Sequence, residues 1–276
     1  MRAAIWRVPA YLPYLQPPLT SAAVAQVEDD LGVSLPDAYL TLLREQNGGY
    51  VRLCFADADI VHTQIWGIGP YFPNIAPSGW WREIITSGVG GGLLAGKQLL
   101  VPFDGDGHWF LCFDYRKNGE KAGPSVTYID LEGGYEREVA PSFSSFLGML
   151  TLAVDANALG IHGVDGLESV VHDLNAALGV EFDMLSNREH GYPVYRWPLG
   201  NATVKNWAWL SPNCVPRGFV RESDARYPEL AGLRPGMALR FPEYPDVHFV
   251  LACTDGSADR VRAACVQASL MTRPIP

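Results

Sequence analysis

Basic residues are scarce in this chain: 21 Lys and Arg stand against 30 Asp and Glu in 276 residues, a formal net charge of −9. Phosphate contacts need clustered cations, so direct DNA or RNA binding is excluded as a main role. Long apolar runs are also missing. No stretch approaches the roughly 18–20 residues that span a bilayer, and Pro9 and Pro13 interrupt the N-terminus before a signal-peptide core develops. The five cysteines, at 54, 112, 214, 253 and 265, form no CxxC pair and leave one over, which signals neither a zinc site nor a disulfide framework. Cys54 and Cys112 fall within candidate strands and read as reduced core residues. These absences together describe a cytoplasmic protein without membrane contact.

Catalytic signatures are lacking as well. There is no GxSxG elbow and no HExxH, and the six histidines (62, 108, 162, 172, 190 and 248) show no metal-ligand spacing. Gly91-Gly-Leu-Leu-Ala-Gly96-Lys97 has phosphate-loop spacing, but Gln98 stands where a Ser or Thr must hold magnesium, and a strand follows where a helix is needed. Asp104-Gly-Asp106-Gly107 starts like a calcium loop, yet His108 takes its fifth position and Tyr115 its twelfth, where a bidentate Glu belongs. A hairpin turn is the simpler account of those glycines. No cofactor and no metal are expected.

What is present is ample core material: 48% of residues are hydrophobic, enough for two packed cores in a chain of this length. Thr20 or Ser21 caps a helix with Val24, Val27 and Leu31 on one stripe. A second helix begins at Pro36, repeats Tyr39, Leu40 and Leu43 on one face, and ends at Asn47-Gly48-Gly49. Strands are expected at 50–55, 65–68, 99–103, 109–113 and 126–131, a helix around 77–86, and another from Ser142 with Phe143, Phe146, Leu147 and Leu150 at helical spacing. The order implies an α+β fold, with helices packed on a mainly antiparallel sheet.

Leu35-Pro36 with Tyr39 before Asn47-Gly48-Gly49, then Ile65-Trp66-Gly67-Ile68, Val101-Pro-Phe-Asp-Gly-Asp-Gly107 and Val139-Ala-Pro-Ser-Phe-Ser-Ser-Phe-Leu147 resemble the SUKH superfamily. This Smi/Knr-type module is named for a yeast cell-wall assembly regulator and is widespread in bacteria. The resemblance covers about residues 20–150. It implies a binding module and not an enzyme, since many bacterial relatives are immunity proteins that neutralise secreted polymorphic toxins, often nucleases. His108 departs from the pattern, because relatives often carry another acidic residue there.

A SUKH-like domain is therefore expected over residues 1–155, and a second, smaller α+β domain of open role over 156–276. In the latter, Val164 to Leu178 reads as an amphipathic helix stopped by Gly179, with strands at 193–197, 206–210, 218–221, 237–241 and 247–253 and a closing helix over 257–269. Net charge is −6 in residues 1–150 and −3 beyond. Asp57, Asp59, Asp104 and Asp106 are expected as exposed carboxylates facing a cationic partner, and Trp80 and Trp81 as ring anchors. Adjacent tryptophans on a helix point about 100° apart, so one face cannot bury both. The leading reading is a non-catalytic immunity protein that covers the basic active-site surface of a nuclease-type toxin. A regulatory or assembly scaffold is the alternative, and an enzyme using His190 or His248 between the domains stands behind both.

Overall fold

The computed structural model describes residues 4–55, 59–75, 96–117, 123–153, 157–164, 166–185, 190–200 and 205–275. They fall into two compact units, one built from Ile5–Arg7 and Tyr11–Thr151, the other from Val8–Ala10 and the residues from Leu152 onward. The architecture is α+β.

In the first unit, helices α1 (Ser21–Leu31) and α2 (Asp37–Glu45) precede a four-stranded antiparallel meander. Its strands are β1 (Leu100–Gly105), β2 (Trp109–Asp114), β3 (Ser125–Asp130) and β4 (Tyr135–Ala140), and helix α3 (Phe143–Met149) follows. The Thr20 hydroxyl accepts from Ala23 N–H at 3.1 Å, as its expected capping role requires, and the Ser142 hydroxyl accepts from Ser145 N–H at 3.1 Å, making Ser142 the N-cap of α3. Rings build the core: Phe103 stacks on Phe113 at 4.6 Å, and Tyr39 and Phe143 meet Phe113 edge-on at 5.1 and 5.3 Å.

The Asn47-Gly-Gly49 motif does something other than end a helix. The residue after α2, Gln46, is extended, and the two glycines take φ of 90° and 127° further on. They allow a close approach, since a Cβ on Gly48 would sit 2.8 Å from the Gly67 nitrogen. The Asn47 side chain then acts as a substitute peptide: its Nδ2 donates to Ile68 O at 2.9 Å and to Pro17 O at 2.6 Å, and its Oδ1 accepts from Ile68 N–H at 2.9 Å. Nearby, the Tyr39 hydroxyl donates to Trp66 O at 2.5 Å, and Trp66 N–H donates to Phe103 O at 2.7 Å. Tyr39, Asn47, Gly48, Trp66 and Gly67 thus form one clamp tying α2 and its following turn to the sheet. Pro36 also sits one position earlier than expected, immediately before the helix.

In the second unit, β5 (Leu159–His162), α4 (Leu167–Leu178), β6 (Asp183–Leu185), β7 (Val194–Pro198), β8 (Trp207–Pro212), β9 (Val247–Cys253), α5 (Ala258–Gln267) and β10 (Met271–Pro274) form an antiparallel sheet in the order β6-β7-β8-β9-β5-β10, with both helices packed into its core. Gly179 ends α4 with φ 66°, as its position predicts. Trp197 is fully buried, and its indole N–H donates to Asn175 Oδ1 at 2.7 Å.

Strands β4, β5, β6 and β10 were not legible in the sequence, and the 218–221 and 237–241 strands are shorter, at Gly218–Phe219 and Met237–Leu239. The expected helix around 77–86 lies outside the described residues.

Candidate functional site

Asp104 and Asp106 were expected side by side at an exposed tip, and the structure separates them. Strand β1 carries a bulge: Pro102 pairs with Cys112, but Asp104 pairs with Leu111, leaving Phe103 as the extra residue. Residues directly opposite in a ladder share a face, so the bulge turns Asp104 toward the core side that Leu111 occupies. Its carboxylate is fully buried. There Oδ2 accepts from Thr63 N–H at 2.9 Å and Gln64 N–H at 3.3 Å and lies 2.8 Å from His62 Nδ1, while Oδ1 accepts from Gly105 N–H at 2.8 Å. Asp104 therefore presents no charge at the surface.

Asp106 is exposed, as expected. Its Oδ1 accepts from the N–H groups of His108 at 2.9 Å and Trp109 at 3.3 Å, which shapes the turn between β1 and β2. His108 Nδ1 lies 2.7 Å from Glu132 Oε1, with both side chains exposed. Across the sheet, Trp109 pairs with Asp130 and Asp130 with Tyr135, so one end of the meander gathers these residues on one face. Their rings form a row: Trp109 stacks on Tyr128 at 5.9 Å, and Tyr135, 40% exposed, follows at 6.2 Å. Asp130 Oδ1 accepts from Gly133 N–H at 2.6 Å and fixes the β3–β4 turn.

The electrostatics register this convergence. Burial first, then Tyr135, Asp130 and Asp106, push the Tyr128 hydroxyl up to about 12. The same hydroxyl meets the backbone of Val61, which brings the segment carrying exposed Asp59 toward this corner. Asp57, Trp80 and Trp81 lie outside the described residues.

Sequence reasoning missed Asp130, Glu132 and Tyr135. Glu132-Gly-Gly134 was the available signal for a turn, while the Tyr-Glu-Arg-Glu-Val run after it lacks the apolar alternation that marks a strand. At the other end of the sheet, Asp114 accepts both Nε and Nη2 of Arg116, at 2.9 and 2.7 Å, and the Thr127 hydroxyl at 2.9 Å, while Arg116 Nη1 donates to Glu136 at 3.0 Å. This fork joins β2, β3 and β4. Among the described residues, no group of three or more His, Cys, Asp or Glu is disposed to hold a metal ion, and no helix is long and apolar enough to cross a membrane.

Helices clamped to an antiparallel meander define the α+β class of the first unit. Within that class, residues 18–149 match the model of the SMI1 / KNR4 family (SUKH-1). The family includes toxin-immunity proteins and cell-wall regulators. No curated protein matches the chain.

Proposed function

We propose that the chain is a non-catalytic protein-binding module of the immunity type, which neutralises a nuclease-type toxin in the cytoplasm by covering its basic active-site surface. One observation carries this reading: Asp106, Asp130 and Glu132 converge with the exposed Tyr135 ring at one end of the meander. A nuclease must be positively charged where it holds phosphates, so a carboxylate-rich corner draws that cleft at long range, and ring burial then retains it. Asp59, and Asp57, Trp80 and Trp81 beside it in the proposal, extend the contact surface. Asp104 has a different role, holding the 62–64 segment against β1.

The test is association with a toxin encoded beside the gene, followed at rising salt. Raising ionic strength from low to about 0.5 M shortens the screening length to well under 10 Å and is expected to slow association at least tenfold. Asp106→Lys with Glu132→Lys slows association, whereas Tyr135→Ala chiefly speeds dissociation. An association rate indifferent to salt and to both charge reversals would refute electrostatic occlusion.

A further inference from the structure

The acidic corner contains a juxtaposition finer than charge. Asp130 closes β3 and Tyr135 opens β4, and the two stand directly opposite in the ladder, so their side chains share a face. Gly133, in the turn between them, lets them close up: a Cβ there would lie 3.1 Å from Asp130 Oδ2 and 3.1 Å from Tyr135 Cδ1, tighter than ordinary contact. Carboxylate and ring edge therefore stand side by side. Oδ1 is committed, accepting from Gly133 N–H at 2.6 Å, whereas Oδ2 accepts from none of the described residues. Behind Tyr135 come the rings of Tyr128, 6.2 Å away, and Trp109, 5.9 Å beyond that, and they back its ring while 40% of the residue stays exposed.

A carboxylate oxygen and a ring presented together call for one group that serves both. An apolar anchor would cover Tyr135 and leave Oδ2 desolvated without a donor. A compact, strongly hydrated ammonium reaches the oxygen but offers the ring no flat surface. A guanidinium lies flat on a ring and points N–H donors at a neighbouring carboxylate from the same plane. Arg137, two positions along the same face of β4, is a cation, and the carboxylates Asp106, Asp130 and Glu132 outnumber it. We propose that Asp130 and Tyr135 form the seat of one arginine side chain of the protein partner, with Gly133 as the positioning residue that keeps carboxylate and ring together. The assignment rests on the acidic corner meeting a basic protein, and it adds what that protein must present there.

Hexa-arginine and hexalysine carry the same charge and serve as probes, titrated against the full chain at low salt while NMR follows the Gly133 amide and the Tyr135 ring. Hexa-arginine is expected to bind at least about threefold more tightly than hexalysine. Gly133→Ala keeps every charge and the ring but forces the pair apart, and the backbone at Gly133 is not left-handed, so alanine is admitted there. It is expected to erase the advantage of arginine and leave hexalysine affinity unchanged, and Tyr135→Leu is expected to do the same. Circular dichroism with thermal melting establishes that each variant folds; should the turn fail in the first, the second, at an exposed position, still decides. Asp106→Lys with Glu132→Lys weakens both peptides alike. Equal affinities in the unaltered chain, or an advantage that survives Gly133→Ala and Tyr135→Leu, would overturn the arginine seat while charge attraction stands. Failure of both peptides to bind would overturn the acidic corner itself, and the seat with it.

Discussion

Asp104 shows how much a single buried carboxylate can organise. Three backbone N–H groups and the His62 ring surround it, and one of its oxygens accepts from Thr63 and Gln64 together. Asp104→Asn puts an NH2 where donors already point, so a loss of about 2–4 kcal/mol is expected in urea unfolding. Tyr39 offers a second residue-scale test. Tyr39→Phe removes the bond to Trp66 O and is expected to cost about 1–2 kcal/mol. Burial raises the Tyr39 hydroxyl well above its ordinary value, burial likewise raises Tyr115, and Tyr128 reaches about 12. Unfolded tyrosines release their protons near about pH 10, whereas these hold theirs beyond it, so their contribution is complete below that pH and is lost as pH rises toward the folded values. Tyr39→Phe is therefore expected to shallow the alkaline fall of the melting temperature.

Elements here were legible in proportion to how local their signals are. Thr20, Ser142 and Gly179 mark helix ends through contacts within a few residues, so the expected starts of α1 and α3 and the end of α4 match the structure, whereas Leu150, expected on the face of α3, lies just beyond its end in extended backbone. Strand β4 escaped notice because Tyr135–Glu138 is exposed throughout and carries no apolar alternation; only pairing with β3 makes it a strand. The bulge in β1 is equally invisible, since it depends on β2. The Asp114–Arg116 fork holds the far end of this sheet. Burial pushes the Asp114 carboxyl up, but the Arg116 and Thr127 hydrogen bonds outweigh it and hold the group below the usual range. Its stabilising contribution is present above the unfolded carboxylate value of about 3.9 and is lost as pH falls toward the lower folded one. Asp114→Asn is expected to flatten the acid limb of a stability–pH profile.

At the scale of the whole molecule, the described residues hold two large hydrophobic cores, one in each unit of an acidic chain. We propose that residues 1–155 and 156–276 act as separate domains, the first meeting a cationic partner. Differential scanning calorimetry is then expected to resolve two transitions, and Asp104→Asn to lower only one of them. A single transition shifted as a whole would count against separate domains.

The sequence by itself determined the α+β class, the helix caps and the SUKH resemblance, because periodicity, capping residues and short motifs act within a few positions of one another. Only the tertiary structure decided which carboxylates reach the surface. A one-residue bulge sent Asp104 inward, and strand pairing brought the Asp106 turn to the corner where Asp130 and Tyr135 flank the β3–β4 turn. Facing and proximity of that kind come from register between distant strands, which no local run of residues encodes.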